Sequence, residues 1–162
     1  MHPKPGAFRQ VYAMNRKTFL PPTYFNSAIM TIILLKIFLP GVKIIAFPWN
    51  LTGIIPLAAG IFLNLSADRA FKQRRTTVKP FEESSALIRN GVFRFSRNPM
   101  YLGMAGILLG LAILLQSVFP FVVVPVFMIT VDIVFIRDEE MMLEAKFGEE
   151  WRRFRHSTRK WL

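Results

Sequence analysis

The chain has no cysteine and only two histidines, His2 and His156. Disulfide scaffolds, thiolate zinc sites and cysteine nucleophiles are therefore excluded, and two histidines alone furnish no His-rich metal site. Acidic residues are scarce, 10 against 21 Lys and Arg, and charged residues of both signs fill only 19% of 162 positions. With 52% apolar residues the chain is not disordered, and its length suits one domain. A formal charge of +11 on so apolar a chain implies one of two partners, nucleic acid or the anionic face of a membrane.

The apolar residues fall into four segments, 25–47, 51–67, 100–115 and 118–136. The first is broken by Lys36, the Pro40-Gly41 pair and Lys43, while the fourth carries only Asp132. A bilayer core of ~30 Å takes about 17–25 apolar residues per helix, so the pattern predicts an all-α integral membrane protein with about four spanning helices. No small-residue cleavage site ends the first apolar stretch, which reads as an uncleaved span behind a basic arm.

Charge sets the orientation. The arm before residue 25 holds four basic residues, the 66–98 stretch eight and the tail from Arg137 seven, leaving only Lys36 and Lys43 elsewhere. Four spans put all three rich segments on one face, which the positive-inside rule makes cytosolic together with both termini. The loops hold no basic-aromatic recognition module, so the excess charge is assigned to topology and membrane lipids rather than to nucleic acid.

The third and fourth segments form a hairpin turning at Gln116-Ser117. Pro99 lies 17 residues before Gln116 and Ile136 lies 18 after Val118. Helices rising ~1.5 Å per residue thus bring the 97–101 run level with the 137–140 run. Asp132, Glu139 and Glu140 are spaced to share one helix face. Gly103, Gly106 and Gly110 make a stripe with two readings. One is close helix packing; the other is a thin wall where a ligand reaches the backbone beside Tyr101 and a lipophilic acceptor slides in from the bilayer.

The stretches 77–80 (Thr-Val-Lys-Pro) and 87–103 (Leu-Ile-Arg-Asn-Gly-Val-Phe-Arg-Phe-Ser-Arg-Asn-Pro-Met-Tyr-Leu-Gly), with Glu139-Glu140, Phe147-Gly148-Glu149-Glu150-Trp151 and Arg159-Lys160-Trp161-Leu162, carry a resemblance. Over residues 76–162 the chain resembles the isoprenylcysteine carboxyl methyltransferase family, whose relatives include phospholipid N-methyltransferases. Asn98 stands where the eukaryotic enzymes carry histidine, Val92-Phe93 replaces Pro-Tyr, and the arginine they place four residues before the glutamate pair falls on Phe135, so that its role is either vacant or taken by Arg137.

The resemblance implies S-adenosylmethionine as donor, bound without a Rossmann sheet in a cytosolic pocket, with a lipophilic or lipidated acceptor. Three regions follow: a cytosolic arm over 1–24, two transmembrane helices over 25–67 and a catalytic region over 68–162. Carried over to this chain, Leu87, Gly91, Phe93, Arg97, Asn98, Tyr101, Gly103, Glu139 and Glu140 are expected at the donor. Arg97, Tyr101, Glu139 and Arg137 are expected at the chemistry, and no metal is expected. Chemically, the glutamates suit the donor's ammonium or ribose hydroxyls, and Arg97 suits its carboxylate. Tyr101 suits a polar edge or the sulfonium, Asn98 the adenine or amino-acid end, and the backbone at Gly91 the adenine. Residues 147–162, with Trp151, Phe154 and Trp161 among arginines, read as an interfacial helix or a lid. The membrane is expected to be a prokaryotic plasma membrane, or the endoplasmic reticulum in a eukaryote.

Two other classes compete: a small cation transporter built around Asp132, and a sterol-reductase-like enzyme using NADPH. The 66–98 and 137–162 segments hold more cytosolic mass than a minimal transporter needs. The four-span topology predicts that Ser84→Cys, the sole thiol in the chain, reacts with a membrane-impermeant reagent only from the cytosolic side. Labelling from outside intact cells would exclude it.

Overall fold

A computed structural model describes residues 20–39, 41–74 and 86–162. Most of the 1–24 arm, Pro40 and the 77–80 stretch lie outside the described residues. Among the described residues every regular element is helical and there is no strand. Helix α1 spans Pro21–Phe38, and a 3₁₀ turn over Trp49–Gly53 leads into α2, Ile54–Gln73. A second 3₁₀ turn, Gly91–Arg94, precedes α3, Pro99–Leu114. Helix α4, Phe119–Val131, runs through a π turn at Asp132–Ile136 into α5, Arg137–Phe147, and α6 is Glu149–Ser157.

Prolines start three of these helices. They occupy the first turn of α1, α3 and α4, where a missing N–H costs no helical hydrogen bond. Gly148, at φ +50°, ends α5 and turns the chain into α6. Two continuous helices are long and apolar enough to cross a bilayer, 49–73 and 119–147, and Pro99–Leu114 is a shorter apolar helix. Two helices outrun the apolar segments from which they were expected. α2 continues beyond Asp68 to Gln73, and the 118–136 segment continues beyond Ile136 to Phe147, because polar residues propagate a helix once its apolar part is built.

The seam between α2 and α3 is made by glycine. A methyl group on Gly53 would lie 2.6 Å from the Gly110 carbonyl oxygen, and one on Gly106 would lie 3.1 Å from the Pro56 carbonyl oxygen. At Gly60 it would strike the backbone of Gly103 and Ile107, and at Gly103 the amide of Asn64. The whole Gly103–Gly106–Gly110 stripe is thus covered by α2. This corrects the lateral-opening reading of the stripe and the placing of Gly103 against a ligand. Without side chains on this face the two backbones approach closely, which gains dispersion contacts that lipid cannot supply.

The main core joins α1, α3 and α4, with Ile32, Leu108, Val131 and Ile136 fully enclosed. The Tyr101 ring stacks on Phe135 with centroids 6.2 Å apart, and Tyr24 meets Phe135 edge-on at 5.3 Å. A second cluster packs the end of α2 (Ala67), the 88–93 segment (Ile88, Val92, Phe93) and α6 (Trp151, Phe154). At the opposite end of α3, Lys43 bridges to Ser117 and the Ile44 amide donates to the Gln116 carbonyl at 3.0 Å. Lys43 therefore sits a helix length away from Arg97.

The glycine seam predicts that Gly60→Leu is severe. Forcing a side chain into this contact should cost about 1–3 kcal/mol of stability or more. Val122→Leu, on an exposed face of α4, should stay within about 0.5 kcal/mol. Unfolding midpoints of both variants in the same detergent would check this.

Candidate functional site

Arg97 sits in the four-residue link between the Gly91–Arg94 turn and α3, where Pro99 starts the helix. Its guanidinium is 9% exposed, and Nη2 lies 3.0 Å from Oε1 of Glu140, itself 12% exposed. Nη1 donates to the carbonyl oxygens of Arg155 at 2.7 Å and Thr158 at 3.2 Å. The guanidinium carbon also lies 5.9 Å from the centroid of the Trp151 ring. The Arg97 backbone N–H donates to the Arg159 carbonyl at 3.0 Å. Its neighbours repeat the pattern: Ser96 Oγ and Asn98 Nδ2 each donate to the Lys160 carbonyl at 3.1 Å. The 155–160 tail is thus bound by its own backbone oxygens to the 96–98 link.

One turn into α3, the Tyr101 hydroxyl donates to Glu139 Oε1 at 2.9 Å. Residues 97–101 and 139–140 therefore meet, as the spacing predicts, but through their own pairs: Tyr101 with Glu139, Arg97 with Glu140. Asp132 does not share that face. The π turn admits one more residue than an α turn and directs Asp132 to Lys160 Nζ at 2.8 Å and Arg137 Nε at 3.4 Å.

A groove of about 380 Å³ opens between the 133–144 stretch and the tail. It is lined by Ile133, Arg137, Asp138, Glu140, Met141, Glu144, Arg155 and Lys160, so cations and carboxylates face the same space. Glu140 belongs both to this groove and to the Arg97 pair. Two buried nitrogens of this cluster, Arg97 Nε and Trp151 Nε1, have no hydrogen-bond partner, so the network around the guanidinium is not closed.

The expected residues divide as follows. Arg97, Asn98, Tyr101, Glu139 and Glu140 come together, and Arg137 lines the groove with Glu140. Phe93 is instead buried in the second apolar cluster, with Leu87 packed beside it. Gly91, at φ +63°, lies on an open turn with nothing within 4 Å of an added Cβ. Gly103 belongs to the helix seam. Arg97 is spent on Glu140 and on carbonyls of its own tail, where the sequence suggested a two-point contact with an external carboxylate. Trp151 and Phe154 point into the protein, so α6 is a cover packed on the fold; its apolar face is not left for lipid. Phe135 stacks on Tyr101.

Sequence reading missed Ser96, Lys160 and the tail carbonyls. Backbone acceptors leave no residue signature, and the one usable hint was that Asp132, within an apolar helix, requires a cation.

Residues 49–150, more than half of the chain, match the phospholipid methyltransferase family. An uncharacterized protein of Haemophilus influenzae is 36% identical over 63 residues, covering 39% of this chain and all of that protein. No solved structure matches the chain.

The Arg97–Glu140 pair predicts strong coupling. Arg97→Met alone leaves a carboxylate mostly buried and uncompensated and should cost about 3–5 kcal/mol. Adding Glu140→Met should recover part of that loss. A double-mutant cycle on unfolding free energies should give a coupling of at least about 1 kcal/mol; additive losses would contradict the pairing.

Proposed function

The chain belongs to the phospholipid methyltransferase family, and from that premise we propose an integral membrane enzyme that uses S-adenosylmethionine to methylate a lipophilic acceptor where the bilayer meets the cytosol. The observation that carries this reading is the meeting of residues 97–101 with 139–140 at one end of an apolar bundle, beside a groove of mixed charge. In this reading α1 to α4 span the bilayer, α3 and α4 as a hairpin, with both termini and the groove on the cytosolic side.

The residues present suit the donor. Its amino-acid end carries an ammonium and a carboxylate, and the groove offers Asp138, Glu140 and Glu144 to the first and Arg137 and Arg155 to the second. Glu140 lines that space and is itself paired with the buried Arg97. When bound, the donor supplies a methyl group on a cationic sulfur, which an acceptor heteroatom displaces in line.

For such a displacement the protein supplies position and excludes water. Tyr101 is fixed from two sides, by Glu139 at its hydroxyl and by Phe135 at its ring face. The tail over Arg97 and Asn98 covers the polar end of the bundle from the cytosol. The exposed apolar face of α4 and the π turn after it, with Val126, Ile129 and Ile133, leads to the groove rim, and along it a lipid chain reaches the polar site.

The acceptor is proposed as a carboxylate of the isoprenylcysteine type, which needs no deprotonation. The family match favours a second reading, a phospholipid amine, which must first lose a proton; Glu139 and Glu140 are the carboxylates placed to take it. A cation transporter is disfavoured because Asp132 is already bound to Lys160 and Arg137.

Isothermal titration of the lipid-reconstituted chain should show binding of S-adenosylmethionine and of its demethylated product, and none of NADPH. Radiolabel from the donor should then appear on one class within a panel of prenylcysteines and aminophospholipids. Binding of NADPH alone would overturn the proposal in favour of a reductase.

A further inference from the structure

Asp132 is a costly residue for its place. It lies within a helix otherwise apolar from Phe119 to Ile136, its side chain is 19% exposed, and both its oxygens are engaged. Oδ1 receives Lys160 Nζ at 2.8 Å, and Oδ2 receives Arg137 Nε at 3.4 Å from a side chain that is 62% exposed. Lys160 is therefore its principal partner. The other end of the same residue, its carbonyl oxygen, accepts from both Ser96 Oγ and Asn98 Nδ2 at 3.1 Å. The preceding carbonyls, Arg159 and Thr158, accept from the Arg97 backbone and guanidinium. A single residue thus ties a carboxylate of one helix to the link that begins another, and no side chain of that link bonds Asp132 directly.

We propose that Lys160 is a positioning residue: clamped by Asp132, it fixes the tail whose carbonyls orient Arg97 and Asn98, and so sets the affinity of the groove for the methyl donor. The proposal rests on the donor assignment above. Removing the ammonium frees the tail end and leaves Asp132 with only the longer, exposed contact to Arg137. The 158–160 carbonyls then lose their fixed register, and Arg97, still paired with Glu140, no longer holds Glu140 in one orientation at the back of the groove. Lys160→Arg keeps the charge and a donor within reach, whereas Lys160→Met keeps only the apolar stem.

The test uses the full chain in lipid nanodiscs with Leu162→Cys as the only thiol. Leu162 is 72% exposed, so it can carry a nitroxide. Lys160→Met and Asp132→Asn should each weaken donor binding about tenfold, a loss at the lower end for a charge-assisted hydrogen bond. Each should also raise the mobility of the nitroxide. Lys160→Arg should restore donor affinity to within about twofold, and the acceptor KM should stay unchanged throughout. General destabilisation would lower the active fraction while leaving the donor affinity of the folded remainder unchanged, and would not be rescued by arginine. Wild-type donor affinity in both Lys160→Met and Asp132→Asn would overturn the proposal, and so would a label equally immobile in all variants. If the unsubstituted chain binds no donor, the donor assignment fails separately. The nitroxide then still decides whether the Asp132–Lys160 clamp exists.

Discussion

The buried guanidinium of Arg97 is the constraint on which the polar end of this helical bundle depends. A cation so far removed from water must be surrounded by acceptors, and the chain supplies them from three directions: Glu140 from α5, the Arg155 and Thr158 carbonyls from the tail, and the face of Trp151. Each satisfies the charge and is in turn positioned by it. Placing the tail across the 96–98 link also closes the second apolar cluster, because Trp151 and Phe154 are carried inward on α6. Electrostatics and burial therefore fix the same geometry. Removing the cation would release both at once.

The bundle beneath presents this cluster at a constant height. α2 and α3 meet through glycine faces that leave no room for a side chain between them, so the 97–101 run at the start of α3 is packed closely against the rest of the fold. On the partner helix, the π turn converts a simple i, i+7 relationship into two separate aims: Asp132 toward the tail, and Glu139 and Glu140 toward α3. An uninterrupted α-helix would have put all three carboxylates on one face, where their mutual repulsion would have had one cation fewer to offset it.

A polar groove at the end of an apolar bundle suits a reaction between reactants of opposite solubility. A charged donor is too polar to cross hydrocarbon, and a lipophilic acceptor is confined to it. The boundary is the place where both concentrations are high. In the proposed enzyme the groove lies between the 133–144 stretch and the tail, with Ile133 and Met141 on its lipid side and Arg155 and Lys160 on its aqueous side. The basic excess of the chain is divided: the arginines of α6 are exposed, while Arg97 and Lys160 are engaged within the fold.

The sequence by itself determined the class of the fold and the neighbourhood of the site. Apolar segments too long for half-buried helices required an all-helical, membrane-embedded chain, and counting residues outward from Gln116-Ser117 brought Arg97 and Tyr101 level with Glu139 and Glu140. Both conclusions rest on helical periodicity and rise, which are local properties. Tertiary structure alone decided the rest. The stripe of Gly103, Gly106 and Gly110 became a seam only because Gly53 and Gly60 lie opposite, a match made by packing between helices. Trp151 and Phe154 face inward because the end of α2 and Phe93 offer them an apolar bed, although their spacing equally suits a membrane surface. Arg97 turned to its own tail because backbone carbonyls, which no residue identity encodes, were brought within reach of a charge that had no water to meet it.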